Sequence, residues 1–192
     1  LYSDQEKVSA WKCELDFVPG LKVGVVWNSG FQTSLDELDG SNAGRNTSLL
    51  RRNVDLSMVE KLMVPGVSLI SVQKGVHAEK ALFDFNSSRA KEKQIINFSR
   101  NLRDFSDTAA LIANLDLVIT VDTSVAHLSG ALGKPTWVLN RYDSCWRWPK
   151  DDGESAWYPT AVVYNQPKLG DWSTVVNTVR SELVKLVSRE QI

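Results

Sequence analysis

From Leu115 to Leu139 the chain reads L-D-L-V-I-T-V-D-T-S-V-A-H-L-S-G-A-L-G-K-P-T-W-V-L, and the fold follows from how these residues alternate. Leu117-Val118-Ile119 is a short β-branched apolar run, the signature of a strand buried on both faces. Asp122, Thr123 and Ser124 come next, and each carries a short side-chain oxygen able to accept a free backbone N–H at a helix start. A helix is therefore predicted here. Val125, Leu128 and Leu132 keep helical spacing, Gly133 suits the left-handed position past the end, and Pro135 cannot continue the helix. Thr136 to Leu139 then reads as a second strand. This strand, loop, helix and strand place a hydroxyl-rich turn at the carboxyl end of a buried strand, which is where open α/β sheets bind ligands. The free N–H groups and the helix dipole there favour phosphate.

One reading of Asp122-Thr123-Ser124 is a capping cluster and nothing more. His127 argues for a second reading. It stands three residues after Ser124, one turn up on the same face, so its imidazole is predicted to reach a group on the helix N-terminus. Together Asp122, Thr123, Ser124 and His127 form a candidate diphosphate cradle. Ionised Asp122 cannot bind phosphate itself, so it is expected to fix the turn or to orient His127.

The run D-T-S-V-A-H-L-S-G-A-L-G-K-P is preceded by D-T-A-A-L-I-A-N-L-D-L-V-I-T and followed by W-R-W and S-A-W-Y-P. It resembles the heptosyltransferase-like (family 9) glycosyltransferases, in the branch that joins this domain to tetratricopeptide repeats. The resemblance covers most of Leu21 to Val179. It implies the C-terminal, nucleotide-sugar-binding half of an inverting GT-B enzyme, with Asp122, Thr123 and His127 at the donor diphosphate. It also implies a sugar acceptor such as a glycan or lipopolysaccharide, no metal, and no cofactor beyond the nucleoside-diphosphate sugar itself. The catalytic base is expected in an N-terminal acceptor domain that this chain has no room for, so no catalytic residue is assigned. A homodimer is one expected way of covering the half-cleft.

The remaining candidate contacts come from the other strand ends. Val23 to Trp27 reads as a first strand, and Asn28-Ser29-Gly30 as its exit turn, with Asn28 and Ser29 candidates for nucleotide or sugar contacts. In the long polar loop beyond, G-R-N-T-S-L is matched to the family's N-R-S-I, which makes Arg45 a candidate. Val67 to Val72 reads as the second strand, followed by Q-K-G, so Lys74 either faces the nucleotide or is an ordinary solvated lysine. Arg147, within W-R-W, is the last candidate. The tryptophans at 146, 148, 157 and 172 either pin the long segment from Arg141 to Trp172 or stack on a ligand, and pinning is favoured.

The rest of the chain completes an alternating pattern. Helices are predicted from Ser3-Asp4 through Leu15, over Asp55 to Met63, less regularly over His77 to Phe83, from Asp107-Thr108 onward, and after Asp171. Short strands are predicted at Ile95-Ile96 and at Ala161 to Tyr164. Six strands alternating with helices imply an α/β, doubly wound, mostly parallel sheet with helices on both faces. Residues 1–20 are assigned as a helix and connector, and 21–192 as the nucleotide-sugar-binding domain.

Composition narrows the classes further. The 192 residues are 43% hydrophobic with a net charge of −1, which suits one globular domain and gives no basic excess for nucleic acid. No apolar run approaches a membrane span, and Cys13 and Cys145 lie in no metal-spaced cluster, so a reduced, cytoplasmic protein is expected. Neither G-x-G-x-x-G after the first strand nor G-x-x-x-x-G-K-S/T occurs, which removes support for a nicotinamide dehydrogenase or a phosphate-loop nucleotidase. The first residue, Leu1, suggests a fragment or processed chain. A non-catalytic scaffold or partner-binding module that keeps the fold is the alternative. It is motivated by acidic Asp36, Glu37 and Asp39 in a loop that is basic in the family, and by Val162 where the family often has arginine.

Overall fold

The computed structural model describes residues 1–29, 51–148 and 155–190. Six parallel strands form one sheet: β1 (Leu21–Val26), β2 (Val67–Ser71), β3 (Ile96–Asn97), β4 (Leu117–Val121), β5 (Thr136–Asn140) and β6 (Ala161–Asn165). Their order is β3-β2-β1-β4-β5-β6, so the chain walks outward from β1 in one direction and then returns to build the other half. The reversal between β1 and β4 is the switch point of a doubly wound sheet. In register Val25 faces Ile119, and all five residues of β4 are buried, which explains why that strand is a continuous apolar run broken only by Thr120.

Helices cover both faces. One face carries α2 (Leu56–Val59), α3 (Val76–Ser87) and α6 (Trp172–Glu190), which bury Val59, Leu82, Val176, Val179 and Leu183 against β1, β2 and β4. On the other, α1 (Gln5–Leu15) and α4 (Phe105–Ala113) pack Trp11, Leu15, Leu111 and Ile112 under Val26, Ile70 and Val118, with Val125 of α5 (Ser124–Ala131) completing the layer. Burying each such aliphatic side chain contributes about 1.5–3 kcal/mol, and these two layers are what fix the height of the strand ends. β1 passes closely beneath them at Gly24, where a Cβ would come within 2.5 Å of Leu115 Cδ1.

Several boundaries differ from the sequence reading. The helix expected from Asp107 starts at Phe105, because Asp104 accepts the Asp107 N–H at 2.8 Å. Asp107 instead turns inward as a buried carboxylate held by Lys7 of α1 at 2.7 Å and by Arg103 at 2.9 Å. Those two cations hold its carboxyl well below the usual carboxylate range, Arg103 contributing most. The helix expected over His77 to Phe83 is regular and runs from Val76 to Ser87, and His77 is exposed. α1 is packed into the core through Trp11, which meets Phe98 edge to face at 5.1 Å.

Candidate functional site

At the switch point the carboxyl ends of β1, β2 and β4 open into a cleft of about 490 Å³. Asn28, Ser29, Gln73, Lys74, Thr123 and Ser124 line it at the strand ends, Arg103, Asp104 and Thr108 at the start of α4, and Val26, Val72, Leu102, Phe105 and Val125 form its apolar walls. Two amides hold the β1 exit in place. Gln73 Oε1 accepts the Trp27 and Asn28 N–H groups at 3.2 and 3.0 Å, and its Nε2 donates to the Lys74 carbonyl at 2.8 Å. Asn53 Oδ1 accepts both the N–H and the hydroxyl of Ser29, at 2.9 and 3.2 Å. Gln73 is buried and Asn53 half-buried, and carboxamides satisfied this way rigidify the turn, so both are positioning residues that sequence reading passed over as loop.

Lys74 lines the cleft but its ammonium is engaged, donating to the Ser99 carbonyl at 2.8 Å and lying 3.1 Å from Glu79. Burial works against the charged form of Glu79. Lys74 and the Gly75 N–H outweigh it, and the carboxyl sits below its ordinary range.

The mouth of α5 is differently built from the expected three-residue cap. Thr123 is the N-cap residue, with extended backbone, and among the described residues no side chain caps the helix. The Thr120 hydroxyl donates to the Val121 carbonyl at 2.8 Å, so the Thr123 hydroxyl, 3.2 Å away, donates to Thr120. Ser124 and Val125, in the first turn of α5, line the cleft with the positive end of the helix dipole, while the Ala126 N–H donates to the Thr123 carbonyl at 3.1 Å.

Asp122 is not a cap either. Only 5% exposed, its carboxylate accepts the indole N–H of Trp148 at 2.8 Å and lies 3.4 Å from Arg52 Nη1. Trp148 is wholly buried and stacks on the His127 ring, with centroids 5.1 Å apart and planes 18° from parallel. Asp122 thus orients His127 through an intervening indole. His127 Nδ1 is 3.1 Å from the Tyr158 hydroxyl. Tyr158 in turn lies on α5 at Gly130, where a Cβ would come within 2.4 Å of the Tyr158 ring. Burial pushes the His127 pKa below its ordinary value, and Arg147 acts in the same direction while Asp122 opposes it, so the ring is neutral at neutral pH.

Basic side chains gather on the β5 side of this mouth. Arg52 Nη1 also sits 3.4 Å from the Asp122 carbonyl, and its Nε is buried with no partner among the described residues. Arg51 and Arg141 flank Asp143 at 3.1 and 3.6 Å. Arg147 donates to Cys145 Sγ at 3.2 Å, and that sulfur is 4.0 Å from Asp122. Arg45, Asp36, Glu37 and Asp39 lie outside the described residues. Among the described residues, Arg52 is the arginine that contacts Asp122 at the mouth of α5. Among the described residues no group of acidic, His and Cys side chains is arranged to hold a metal, and no helix is long and apolar enough to cross a membrane.

Comparison with known proteins points to the same part of the chain. Residues 100–169, which hold α5, Asp122 and the tryptophan-rich segment, match the model of glycosyltransferase family 9 (heptosyltransferase). The chain is 28% identical over 191 residues to Protein FlbA of Caulobacter vibrioides, covering 95% of this chain and 28% of that protein. Its fold matches the E. coli ADP-heptose LPS heptosyltransferase II with a TM-score of 0.67 and 14% identity, over all of this chain and 54% of that one. It also matches E. coli heptosyltransferase WaaC, solved with ADP-2-deoxy-2-fluoro heptose, with a TM-score of 0.56 and 14% identity, over 93% of this chain and 47% of that one. The chain therefore spans less than a third of the curated relative and about half of each solved structure, and the structural likeness is one of fold.

Proposed function

We propose that this domain is the donor-binding half of an inverting GT-B glycosyltransferase that transfers a sugar from a nucleoside-diphosphate sugar to an acceptor hydroxyl. The observation that carries the proposal is the α5 N-terminus at the sheet's switch point, without a side-chain cap among the described residues, between a cleft sized for a nucleoside and a bank of arginines.

In the reaction, the acceptor oxygen bonds to the anomeric carbon as the bond from that carbon to the diphosphate oxygen breaks, and the acceptor proton passes to a base in the other half of the enzyme. This chain's work is to hold negative charge as it grows on the leaving diphosphate. The α5 amides and the Ser124 hydroxyl provide donors at the helix mouth, while the Thr123 hydroxyl is held by Thr120 and shapes the turn. His127 adds a neutral donor: when Tyr158 donates to Nδ1, the ring proton resides on Nε2. Arg52 turns from Asp122 toward the phosphate, a swap favoured by its long 3.4 Å contacts and by an Nε that has no partner among the described residues. Lys74 positions the β2 turn through Glu79 and Ser99.

The acceptor-binding half covers the carboxyl edge of the sheet, where Val76 and Phe105 stand exposed on either side of the cleft. The alternative of a non-catalytic partner-binding module draws on the same exposed rim and on the commitment of Lys74 to Glu79. Calorimetric titration with ADP-, GDP- and UDP-sugars separates the two, because only the donor-binding reading requires saturable binding that Arg52→Ala weakens.

A further inference from the structure

Trp146, Trp148, Trp157 and Tyr158 divide into two pairs with opposite roles. Trp148 and Tyr158 face inward onto His127, at centroid distances of 5.1 and 5.7 Å, and anchor their segment to the candidate site. Trp146 and Trp157 face outward, 73% and 56% exposed, and meet edge to face with centroids 5.6 Å apart and planes at 79°. Trp157 immediately precedes Tyr158, and Trp146 stands two residues before Trp148. The outward corner is thus held by the same side chains that orient His127, and its position relative to the mouth of α5 is set.

A single exposed tryptophan requires no explanation, but two that form a right-angled corner beside a cation have the chemistry of a specific ligand site. The Arg147 guanidinium lies 5.2 Å from the Trp146 ring and is steadied by its bond to Cys145, which leaves further N–H groups on the fork. A pyranose ring matches this arrangement: its C–H face stacks on one indole, its edge meets the other, and its hydroxyls accept from the guanidinium. On the donor-binding reading the donor's own sugar would hang from the diphosphate at α5, and the cleft that would take the nucleoside lies on the β2 side of that mouth. The corner lies in the segment joining β5 to β6, on the opposite flank.

We infer that the Trp146–Trp157 corner, with Arg147, binds a pyranose ring of the acceptor saccharide. The inference rests on the glycosyl-transfer reading for the word acceptor, and its test is chosen so that the two fail separately. The 192-residue chain is labelled with 5-fluorotryptophan, and its fluorine resonances are assigned by single Trp→Phe substitutions. It is then titrated with the methyl pyranosides of glucose, galactose, mannose and N-acetylglucosamine, and separately with ADP, GDP and UDP. The expected result is that at least one pyranoside shifts the Trp146 and Trp157 resonances saturably, at about millimolar concentration, while those of buried Trp11 and Trp172 stay in place. Trp146→Ala and Trp157→Ala each weaken that binding about tenfold or more, and exposed Phe83→Ala leaves it unchanged. The inference is overturned if no pyranoside moves the two resonances, if the free nucleotides move them instead, or if they shift with protein concentration because a protein surface covers them. Pyranoside binding without any nucleotide binding upholds the corner and removes the donor-site reading.

Discussion

The Asp122 carboxylate accepts the indole N–H of Trp148 at 2.8 Å, joining the end of β4 to a residue far along the chain in the segment before β6. Because that indole also lies flat against His127, one buried hydrogen bond sets both the turn and the imidazole. Trp148→Phe keeps a ring but deletes the donor, leaving a buried carboxylate acceptor unsatisfied. The expected cost is about 1–3 kcal/mol of stability, read as a lower denaturant midpoint, together with weaker nucleotide binding. An unchanged midpoint would remove Asp122 from its role as organiser of the site.

Arg52→Ala should lower the denaturant midpoint, because it takes the cation from buried Asp122, and should weaken nucleoside-diphosphate binding of the still-folded protein about 10- to 100-fold, the range of a charged hydrogen bond worth roughly 1.5–3 kcal/mol. The salt dependence of binding should flatten in the same variant, since one cation fewer meets the phosphates. Titrations at two ionic strengths read both effects. Equal affinity in wild type and variant would show that Arg52 serves Asp122 alone.

How far the site is legible in the sequence can be judged at these residues. The strand, turn and helix around Thr123 are local, and the β-branched run, the hydroxyl pair and G-K-P specify them, with Gly133 at φ +70° where expected. What was not local was read without its partners. Asp122 has the composition of a cap, and only folding brings Trp148 within reach to claim its carboxylate. Asp104 and Asp107 are both plausible caps for α4, and Asp107 is drawn inward by Arg103 beside it together with Lys7 from distant α1. Lys74 is predicted at the cleft and lies there, yet Glu79 and Ser99, which occupy its ammonium, give no signal beforehand. The tryptophans split evenly: Trp148 and Trp172 pin the fold, whereas Trp146 and Trp157 remain outside.

Gly130→Ala places a methyl group where the Tyr158 ring now sits, so Tyr158 must move and its contact with His127 lengthens. Overpacking of this kind costs roughly 1–3 kcal/mol. The specific sign is at His127: relieved of part of its burial, its pKa should rise toward the ordinary value, which a proton titration of the imidazole resonances detects. A pKa that stays put would mean that Tyr158 does not shield the ring.

Acid should destabilise the domain through Asp107. Its folded pKa is depressed, so the stability it contributes is complete above the unfolded value of about 4 and is lost as pH falls toward the folded one. Asp107→Asn should therefore be less stable than wild type at neutral pH and should show a shallower loss below about pH 4. His127 acts in the same sense at higher pH, because its folded pKa also lies below its unfolded one, and stability falls as pH drops below about 6.5. Parallel denaturation curves across pH 3 to 8 for wild type and Asp107→Asn would contradict the assignment to Asp107.

The central claim is that the mouth of α5 binds the diphosphate of a nucleotide sugar, and calorimetric titration of the 192-residue chain with ADP-, GDP- and UDP-sugars tests it most directly. Saturable binding of at least one of them is expected, weakened by the open half-cleft to about the micromolar-to-millimolar range and diminished in both Arg52→Ala and His127→Ala. Heat signals no different from dilution for all three at millimolar concentration, or binding that neither substitution alters, would contradict it.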